Sequence, residues 1–310
     1  MKILVLGAGA VGGYFGGRLV EKGADVTFLV REKRRRQLAE RGLVISSMHG
    51  DYRFSPKTIL AGEQAGPFDL VILTTKAYHF ADGIEAIRPY VGEQTMVLPL
   101  LNGMAHLPEL QAEFGSERVL GGLCFIESTL NEAGDVIQTS PVHELLYGEW
   151  AGGRTPRIEQ LESLFANANA SYRFSDNIQR EMWHKYLFIT TLSGMTTLMN
   201  SSVGPIRDAQ DGLALTRQLF EEAAAIMRAS GASLADDIVE RHMKVFMKQG
   251  YKVKSSMLRD MEKGLQVEAD HLQGYLLALA KQHHVDAPLL RTVYNRLKVY
   301  EINRDAAESR

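Results

Sequence analysis

The feature that most constrains this chain is its opening, where the apolar run Ile3–Leu6 leads directly into the segment Gly7-Ala8-Gly9-Ala10-Val11-Gly12. The glycines match the pattern G-x-G-x-x-G. They also lie between a predicted strand and a predicted helix, which is the setting in which this pattern binds a dinucleotide. A glycine turn that serves packing alone is the alternative. The strand–glycine–helix order favours a dinucleotide-binding site over a packing turn. It also predicts a β-α-β unit at the start of the chain.

Each position of this glycine-rich loop has a predicted role. We expect Gly7 to allow the tight turn off the strand and Gly9 to let a pyrophosphate approach the main chain. Gly12 would let the helix pack closely on the sheet. Ala10 and Val11 open the helix, so their amide groups would face the anion.

Arg31 is the residue that indicates which dinucleotide binds. A site for NAD has an acidic residue at the end of the second strand, whereas the predicted strand Asp25–Val30 ends at Arg31. A guanidinium suits a 2′-phosphate through paired, charge-assisted hydrogen bonds. We therefore expect NADP(H), with the adjacent Glu32 as the contrary signal. The run Arg34–Arg36 that follows is interpreted as a solvated helix face.

The patterning of the chain changes near residue 175. Apolar strands alternate with helices before this point, which predicts a parallel sheet covered on both faces, and helical periodicity alone follows it. The predicted strands are Lys2–Leu6, Asp25–Val30, Leu43–Ser47, Tyr52–Ser55, Asp69–Thr74, Thr95–Leu98, Val119–Ile126, Asp135–Thr139, His143–Glu149 and Tyr172–Phe174. The predicted helices are Val11–Lys22, Glu32–Arg41, Tyr78–Arg88, Arg157–Asn167, Gln179–Leu192, Leu213–Ser230, Ala235–Met247, Ser256–Lys263, Glu268–His283 and Pro288–Asn303. We expect an α/β domain over 1–175 and an all-helical domain over 176–310.

Composition narrows the class of protein. The 310 residues are 45% hydrophobic and 23% charged, which is typical of a folded soluble protein of two domains. A net charge of −2 gives no support for nucleic-acid or membrane-surface binding. Cys124 is the one cysteine, so an intramolecular disulfide and a thiolate metal site are excluded. The uncharged stretch Tyr186–Ile206 is rich in Ser, Thr and Gly and is interpreted as a buried helix, so we expect a cytoplasmic protein with no metal and no membrane span.

Polar side chains follow two predicted strands at the edge where ligands bind in parallel sheets. Lys76 follows the strand Asp69–Thr74, and Asn102 follows the strand Thr95–Leu98. Lys76 would reach a phosphate or carboxylate, and the alternative is a surface lysine at a helix start. Asn102 offers an amide near the expected nicotinamide.

A carbonyl that accepts a hydride also needs a proton donor. Lys185 begins an uncharged helical stretch, and partial burial there would bring its ammonium group toward the range for proton transfer. The sequence pattern alone does not single out Lys185 as the proton donor. The helical half contains five further candidates, namely His184, His242, His271, His283 and His284.

Seven segments together resemble, in order and spacing, the ketopantoate reductase (2-dehydropantoate 2-reductase) family over nearly the whole chain. They are Gly7–Gly12, Arg31, Thr75-Lys76, Asn102-Gly103, Trp183–Lys185, Ser255–Leu258 and Glu268–Asp270. The resemblance implies a Rossmann-type doubly wound N-terminal domain that binds NADP(H) and an all-helical C-terminal domain for substrate. It also implies NADPH-dependent reduction of a small-molecule 2-oxo acid to a 2-hydroxy acid. Among such reactions, the resemblance points first to the reduction of 2-dehydropantoate to pantoate, in pantothenate biosynthesis.

The resemblance also assigns roles to residues. Lys185 corresponds to the general acid, and Glu268 to the carboxylate that orients the substrate and approaches the cofactor. Ser256 corresponds to a hydroxyl that binds the substrate carboxylate. Asn102 and Lys76 correspond to polar groups at the junction of cofactor and substrate. Helix capping by Ser255 or Ser256, and a first-turn role for Glu268, are structural alternatives that are compatible with these roles.

Two positions depart from the family pattern. Ile189 and Ser193 lie one and two helical turns beyond Lys185, where the typical reductases have asparagines. An isoleucine cannot form hydrogen bonds, so a different, more apolar oxo acid stays open as the substrate. A non-catalytic NADP(H) sensor is a further alternative, although the presence of both Lys185 and Glu268 argues against it. The helical periodicity does not decide whether the apolar helix faces pack within the domain or against a second copy, so a homodimer stays open.

Overall fold

The computed structural model describes residues 1–308, and the chain divides into two compact units. The first unit contains Met1–Leu101 and His106–Gln179. The second contains Asn102–Ala105 and the chain from Arg180 onwards. The mixed fold class, a parallel sheet domain followed by helices, is therefore confirmed. The functional assignment of domains 1–175 and 176–310 stays a prediction.

The first sheet of the first unit has five parallel strands in the order β5-β2-β1-β6-β7. These strands are β1 Lys2–Leu6, β2 Asp25–Leu29, β5 Lys57–Ile59, β6 Leu70–Leu73 and β7 Met96–Pro99. Every residue of β6 and β7 is buried, as expected for central strands covered on both faces. The short edge strand β5 was not predicted from the sequence, because only three residues form it.

The second sheet of this unit was not foreseen as a separate layer. Its strands are β3 Leu43–Ser47, β4 Tyr52–Phe54, β8 Leu120–Leu130, β9 Val136–Glu149 and β10 Ser171–Phe174. They are ordered β10-β9-β3-β4, with β8 paired to β9 in an antiparallel hairpin. The turn of this hairpin is closed by a 3.1 Å hydrogen bond from Asn131 N to Asp135 O.

The prediction of two strands over 135–149 was wrong, because one long strand, β9, runs through Pro141. The register of the hairpin shifts between Ile126 and Ser128, opposite this proline. A proline cannot donate to a strand ladder, and an irregularity of this kind removes the need for a donor.

Five α-helices of the first unit cover the sheets: α1 Ala10–Glu21, α2 Glu32–Arg41, α3 Phe80–Ile87, α4 His106–Phe114 and α5 Pro156–Phe165. The helix predicted over 78–88 is instead a 3-10 turn, Ala77–His79, followed by α3 and a second 3-10 turn, Arg88–Tyr90. Helix α4 was not predicted, because Pro108 in its first turn resembles a loop signal, although proline is tolerated there.

Helix α1 packs between the two sheets by means of its glycines. A Cβ atom at Gly16 would lie 2.8 Å from the ring of Phe28 in the first sheet. One at Gly17 would lie 2.6 Å from Ile45 Cδ1 in the second sheet. The helix therefore approaches both layers more closely than an alanine would allow, and this fixes the loop at its N-terminus.

The second unit is helical. Its helices are α6 Ile178–Leu198, α7 Val203–Asp208, α8 Gly212–Ala229, α9 Ile238–Lys248, α10 Ser256–Glu262, α11 Tyr275–Gln282 and α12 Pro288–Glu308, and a π-helical turn, Asp270–Gly274, precedes α11. As predicted, no strand follows β10 in residues 175–308. Among residues 1–308, we find no helix with the combined length and hydropathy that crossing a membrane requires.

Helix α6 continues six residues beyond the predicted end at Leu192. Its threonines return hydrogen bonds to the helix itself, from Thr196 Oγ1 to Leu192 O and from Thr197 Oγ1 to Ser193 O, each at 2.7 Å. Hydroxyls satisfied in this way can be buried within a helix, which is why the polar composition did not end it.

Candidate active site

The glycine-rich loop of the first unit has the geometry that its sequence predicts. Gly7 has a φ of +94°, which favours glycine. A Cβ at Gly12 would lie 2.3 Å from both the Gly7 carbonyl oxygen and Thr74 Oγ1, so only glycine fits. A Cβ atom at Gly9, by contrast, would have no atom of the described residues within 4 Å apart from those of Gly9 and its two chain neighbours. Two glycines thus build the loop, and the third leaves space beside it.

The N-terminus of α1 lies beside the space next to Gly9. Gly9 is the N-cap residue and provides no side-chain hydrogen bond to the first turn, which Ala10 and Val11 begin. The first-turn amide groups of a helix that has no capping side chain are suited to an anion. The residues present therefore fit the pyrophosphate of a dinucleotide.

Lys76 lies three residues beyond the carboxyl end of β6, the neighbour of β1 in the sheet. It precedes the 3-10 turn as its N-cap residue, and its carbonyl accepts a 2.9 Å hydrogen bond from His79 N. Thr74, two residues earlier, donates from Oγ1 to the Leu6 carbonyl at 2.8 Å. The segment that carries Lys76 is thereby joined to the strand that enters the glycine-rich loop.

Arg31 is the N-cap residue of α2 at the carboxyl end of β2. Its side chain is 70% exposed and forms an ion pair of 3.9 Å with Asp82 of α3, which is 83% exposed. Strand β1 lies between the strands that lead to these two residues. The pair therefore joins the two segments that flank the glycine-rich loop.

The interpretation of Arg34 as part of a solvated face was wrong. Its half-buried guanidinium donates to the carbonyl of Ala8 from Nε at 3.1 Å and from Nη2 at 2.8 Å. Burial lowers the pKa of Arg34 below its usual value. Arg36, by contrast, is exposed and forms a surface ion pair with Glu32. Only the spacing of Arg34 from Arg31, one helical turn, could have indicated this role.

The second unit contains a cavity of about 60 Å³ within its own residues. Its lining consists of Asn102, Ile189, Leu192, Ser193, Ser255, Ser256, Met257, Glu268 and Leu272. The structure therefore brings together three predicted site residues, Asn102, Ser256 and Glu268. It also places both departures from the family pattern, Ile189 and Ser193, in the same wall.

Asn102 lines this cavity because the segment Asn102–Ala105 is held to the π-helical turn by a hydrogen bond and by close packing. His271 Nε2 lies 2.8 Å from the main-chain oxygen of Asn102. The next residue, Gly103, has a φ of +82°, and a Cβ there would lie 2.9 Å from Leu272 Cδ2. Glu268 lies two residues before the turn, and its carbonyl accepts a 3.0 Å hydrogen bond from Leu272 N. One turn thus positions both an amide and a carboxylate.

Ser255 and Ser256 divide their functions. Ser255 caps α10, since its Oγ accepts from Leu258 N at 3.1 Å, and the same oxygen lies 2.7 Å from Thr196 Oγ1 of α6. The capping alternative thus holds for Ser255. Ser256 is the exposed first residue of α10 and is left available to a ligand in the cavity.

Lys185 is half-buried on α6 and is not among the residues that line this cavity. It lies on the same helix face as Ile189 and Ser193, one and two turns before them. The neighbouring His184 is a structural group: its Nε2 accepts a 3.2 Å hydrogen bond from Ala235 N, and burial lowers its pKa to about 4.

Both parts of the chain match models of one protein family. Residues 3–152 match the model described as ketopantoate reductase PanE/ApbA, and residues 177–301 match the model for the C-terminal part of that enzyme. Together these two matches span most of the sequence.

Individual proteins agree with these matches. The chain is 45% identical over 304 residues to a Bacillus subtilis protein named uncharacterized oxidoreductase YkpB, which covers 98% of this chain and 100% of that protein. It is 28% identical over 301 residues to the 2-dehydropantoate 2-reductase of Pyrococcus horikoshii, with 97% and 98% covered. The crystal structure of 2-dehydropantoate 2-reductase from Geobacter metallireducens superposes with a TM-score of 0.88 at 30% identity, covering 96% of this chain and 99% of the other.

Proposed function

This chain belongs to the ketopantoate reductase family, and from that premise we propose that it reduces 2-dehydropantoate to pantoate, a step of pantothenate biosynthesis. Members of the family are oxidoreductases that reduce 2-oxo acids with a nicotinamide dinucleotide, and this chain is an oxidoreductase of that type. The observation that carries the substrate proposal is the cavity that gathers Asn102, Ser256 and Glu268.

The cofactor is proposed to be NADPH. Gly7, Gly9 and Gly12, with the first turn of α1, would hold the pyrophosphate, and Arg31 would pair with the 2′-phosphate. Lys76 and Asn102 are proposed as the polar groups near the nicotinamide end. When bound, the cofactor supplies a hydride to the carbon of the 2-oxo group.

The residues of the second unit would bind the acid and supply the proton. Ser256 is proposed to donate to the substrate carboxylate, and Glu268 to accept from the hydroxyl that forms. Lys185 is proposed to donate its ammonium proton to the 2-oxo oxygen as negative charge develops there. A neutral alcohol then leaves, and Lys185 recovers its proton from solvent.

A second candidate substrate is favoured by one observation. The side chains of Ile189, Leu192, Met257 and Leu272 make much of the cavity wall apolar. Such a wall suits a branched oxo acid that carries no further hydroxyl group, because an apolar surface cannot replace the water that a hydroxyl loses.

The test uses two oxo acids that differ by one hydroxyl group: 2-dehydropantoate and 3,3-dimethyl-2-oxobutanoate. Steady-state consumption of NADPH should give a higher kcat/KM with 2-dehydropantoate. A higher kcat/KM with 3,3-dimethyl-2-oxobutanoate would instead favour the second candidate, an oxo acid without the further hydroxyl group. If NADPH binds but a single-turnover experiment shows no loss of nicotinamide absorbance with any 2-oxo acid, the chain is a sensor and the proposal is overturned. A cytoplasmic location and a homodimer stay predictions, and sedimentation measures the second.

A further inference from the structure

The carbonyl of Ala8 lies in the middle of the glycine-rich loop and accepts two hydrogen bonds from Arg34, at 3.1 and 2.8 Å. All peptide bonds of the described residues are trans. In a planar trans unit, the carbonyl and the N–H that follows it point in opposite directions. Arg34 therefore also fixes the direction of the Gly9 N–H, away from its own guanidinium.

This restraint is needed because Gly9 cannot restrain itself. Glycine adopts positive and negative φ about equally readily, so the peptide unit between Ala8 and Gly9 could otherwise rotate at little cost. A larger residue at this position would limit the rotation, but its side chain would occupy the space through which a pyrophosphate approaches the main chain. Holding the Ala8 carbonyl from outside gives the loop both an open approach and a fixed amide.

Gln37, one turn later on α2, holds the same guanidinium. Its Oε1 accepts from Arg34 Nη1 at 2.5 Å, and its Nε2 donates to the Ala133 carbonyl at 2.6 Å. A guanidinium only donates and a carbonyl only accepts, so the orientation of this half-buried amide is fixed. Gln37 thus connects Arg34 to the turn Asn131–Asp135 of the β8–β9 hairpin, 96 residues further along the chain at Ala133.

This hairpin turn lies close against both side chains. Gly134 has a φ of +79°, and a Cβ atom there would collide with Gln37 Nε2 and with Arg34 Nη1. The negative charge of Asp135 also acts on Arg34 and opposes the burial that lowers the pKa of its guanidinium. A hydrogen bond, close packing and charge therefore all connect the hairpin turn to Arg34.

The same hairpin also packs on the helix that follows the glycine-rich loop. A Cβ atom at Gly13 of α1 would lie 2.9 Å from Cγ2 of Val136, the first residue of β9. The hairpin thus contacts α1 directly and reaches the loop carbonyl through two side chains of α2. Its contacts therefore extend from the second sheet to the cofactor loop of the first.

We propose that Gln37 and the hairpin turn are positioning elements of the cofactor site. They keep Arg34 on the Ala8 carbonyl, so that the Gly9 amide stays directed at the pyrophosphate of the dinucleotide. The inference goes beyond the proposed function, because it requires only a bound nicotinamide dinucleotide and holds for any oxo acid. It gives the second sheet a part in cofactor affinity.

The experiment measures the Kd for NADPH by fluorescence titration in four proteins: wild type, Arg34→Met, Gln37→Met and the double variant. We expect Gln37→Met to weaken binding about 3-fold or more and Arg34→Met about 10-fold, as for lost hydrogen bonds to a charged group. The double variant should resemble Arg34→Met, because Gln37 acts through Arg34. Gln160→Met makes the same exchange at an exposed position of α5 and should bind NADPH as the wild type does.

Gly134→Ala tests the hairpin turn itself. Its added Cβ atom would displace both side chains, so NADPH affinity should fall as it does in Gln37→Met. Gly231→Ala is the matched control: its φ is +88°, but a Cβ atom there meets no atom of the described residues within 4 Å apart from those of Gly231 and its chain neighbours. Should thermal unfolding show that Gly134→Ala does not fold, Asp135→Asn replaces it and should also weaken NADPH binding.

A second ligand separates positioning of the loop from a general loss of structure. 2′-AMP carries the 2′-phosphate of NADPH but no pyrophosphate, and competition with NADPH gives its Kd. We expect the Kd for 2′-AMP to stay at the wild-type value in every variant. An equal weakening of 2′-AMP and NADPH would place the effect outside the glycine-rich loop and refute the proposal.

The remaining outcomes are also decisive. An additive double variant would show that Gln37 acts independently of Arg34. NADPH affinity at the wild-type value in the folded variant of the hairpin turn would remove that turn from the cofactor site. If the wild type binds neither NADPH nor NADH, the cofactor assignment fails and this inference fails with it. If it binds NADPH but does not reduce 2-dehydropantoate, only the proposed substrate fails, and the Kd values decide the inference.

Discussion

The guanidinium of Arg34 donates two hydrogen bonds to the main-chain carbonyl of Ala8, at 3.1 and 2.8 Å, and so joins the first turn of α2 to the middle of the glycine-rich loop. Arg31, one turn earlier, is exposed and forms the ion pair with Asp82. Two arginines of one helix start therefore have separable functions: one holds the loop, and the other is exposed for the proposed 2′-phosphate.

We predict that Arg34→Met weakens the binding of NADPH and NADH alike, by about 10-fold, because both share the pyrophosphate that the loop would hold. Loss of a hydrogen bond to a charged donor has an effect of this size. Fluorescence titration measures the two Kd values, and Arg36→Met on the exposed face is the control. A loss confined to NADPH would instead place Arg34 on the 2′-phosphate.

Asp82 forms an ion pair with Arg31 and would compete with the 2′-phosphate of NADPH for that guanidinium. We predict that Asp82→Asn tightens NADPH binding about 2- to 5-fold and leaves NADH unchanged, a modest effect because the pair is exposed. The same titrations at low and physiological salt measure it, since screening should reduce the difference. Equal tightening of both dinucleotides would show that Asp82 acts on the loop and not on cofactor choice.

For Lys185, we predict that Lys185→Ala lowers kcat about 10²-fold or more while the Kd for NADPH changes little. A lost general acid removes stabilisation of the transition state and leaves the binding of the cofactor intact. Lys244→Ala, at an exposed position of α9, is the matched control and should retain wild-type kcat. Turnover near the wild-type value in Lys185→Ala would remove this residue from its proposed role.

The two adjacent serines should respond in opposite ways. Ser255→Ala should lower the free energy of unfolding by about 1 kcal/mol, because it removes the cap of α10. Ser256→Ala should leave that free energy unchanged and raise KM for the oxo acid several-fold. Urea unfolding and steady-state kinetics on both variants provide the comparison, and the reverse pattern would exchange the two assignments.

Stability should fall in mild acid through His184. Its pKa is about 4 in the folded protein, mainly because of burial and then because Arg180 is near, against an ordinary value of 6.5. The unfolded chain thus binds a proton that the folded chain refuses between these two values, so stability is lost as pH falls from 6.5 to about 4. Because the ring is only half-buried, solvent screening reduces the size of this loss.

The variant His184→Gln keeps an acceptor for Ala235 N and cannot titrate, so it isolates this contribution. Urea unfolding of both proteins at pH 7.5 and pH 4.5 should show a smaller loss of stability in the variant. Equal losses would mean that other groups, such as the half-buried His242, carry the acid sensitivity.

Local signals predicted much of this structure, and distant contacts account for the rest. The glycine-rich loop and helix α2 follow from neighbouring residues and were predicted. The hydrogen bond between Gln273 and Ser193 links residues 80 positions apart, and the one between His271 and Asn102 links residues 169 positions apart. Neither pair has a local pattern, because each forms only when separate helices pack.

The four residues Asn102–Ala105 belong to the second unit, although the chain on both sides of them belongs to the first. A C-terminal fragment cut near residue 175 would therefore have a breached cavity and a His271 without its carbonyl. Anyone who builds chimeras by exchanging halves between related reductases must transplant this excursion together with the helical half. A hybrid with a single crossover would otherwise combine a loop from one parent with a pocket from the other.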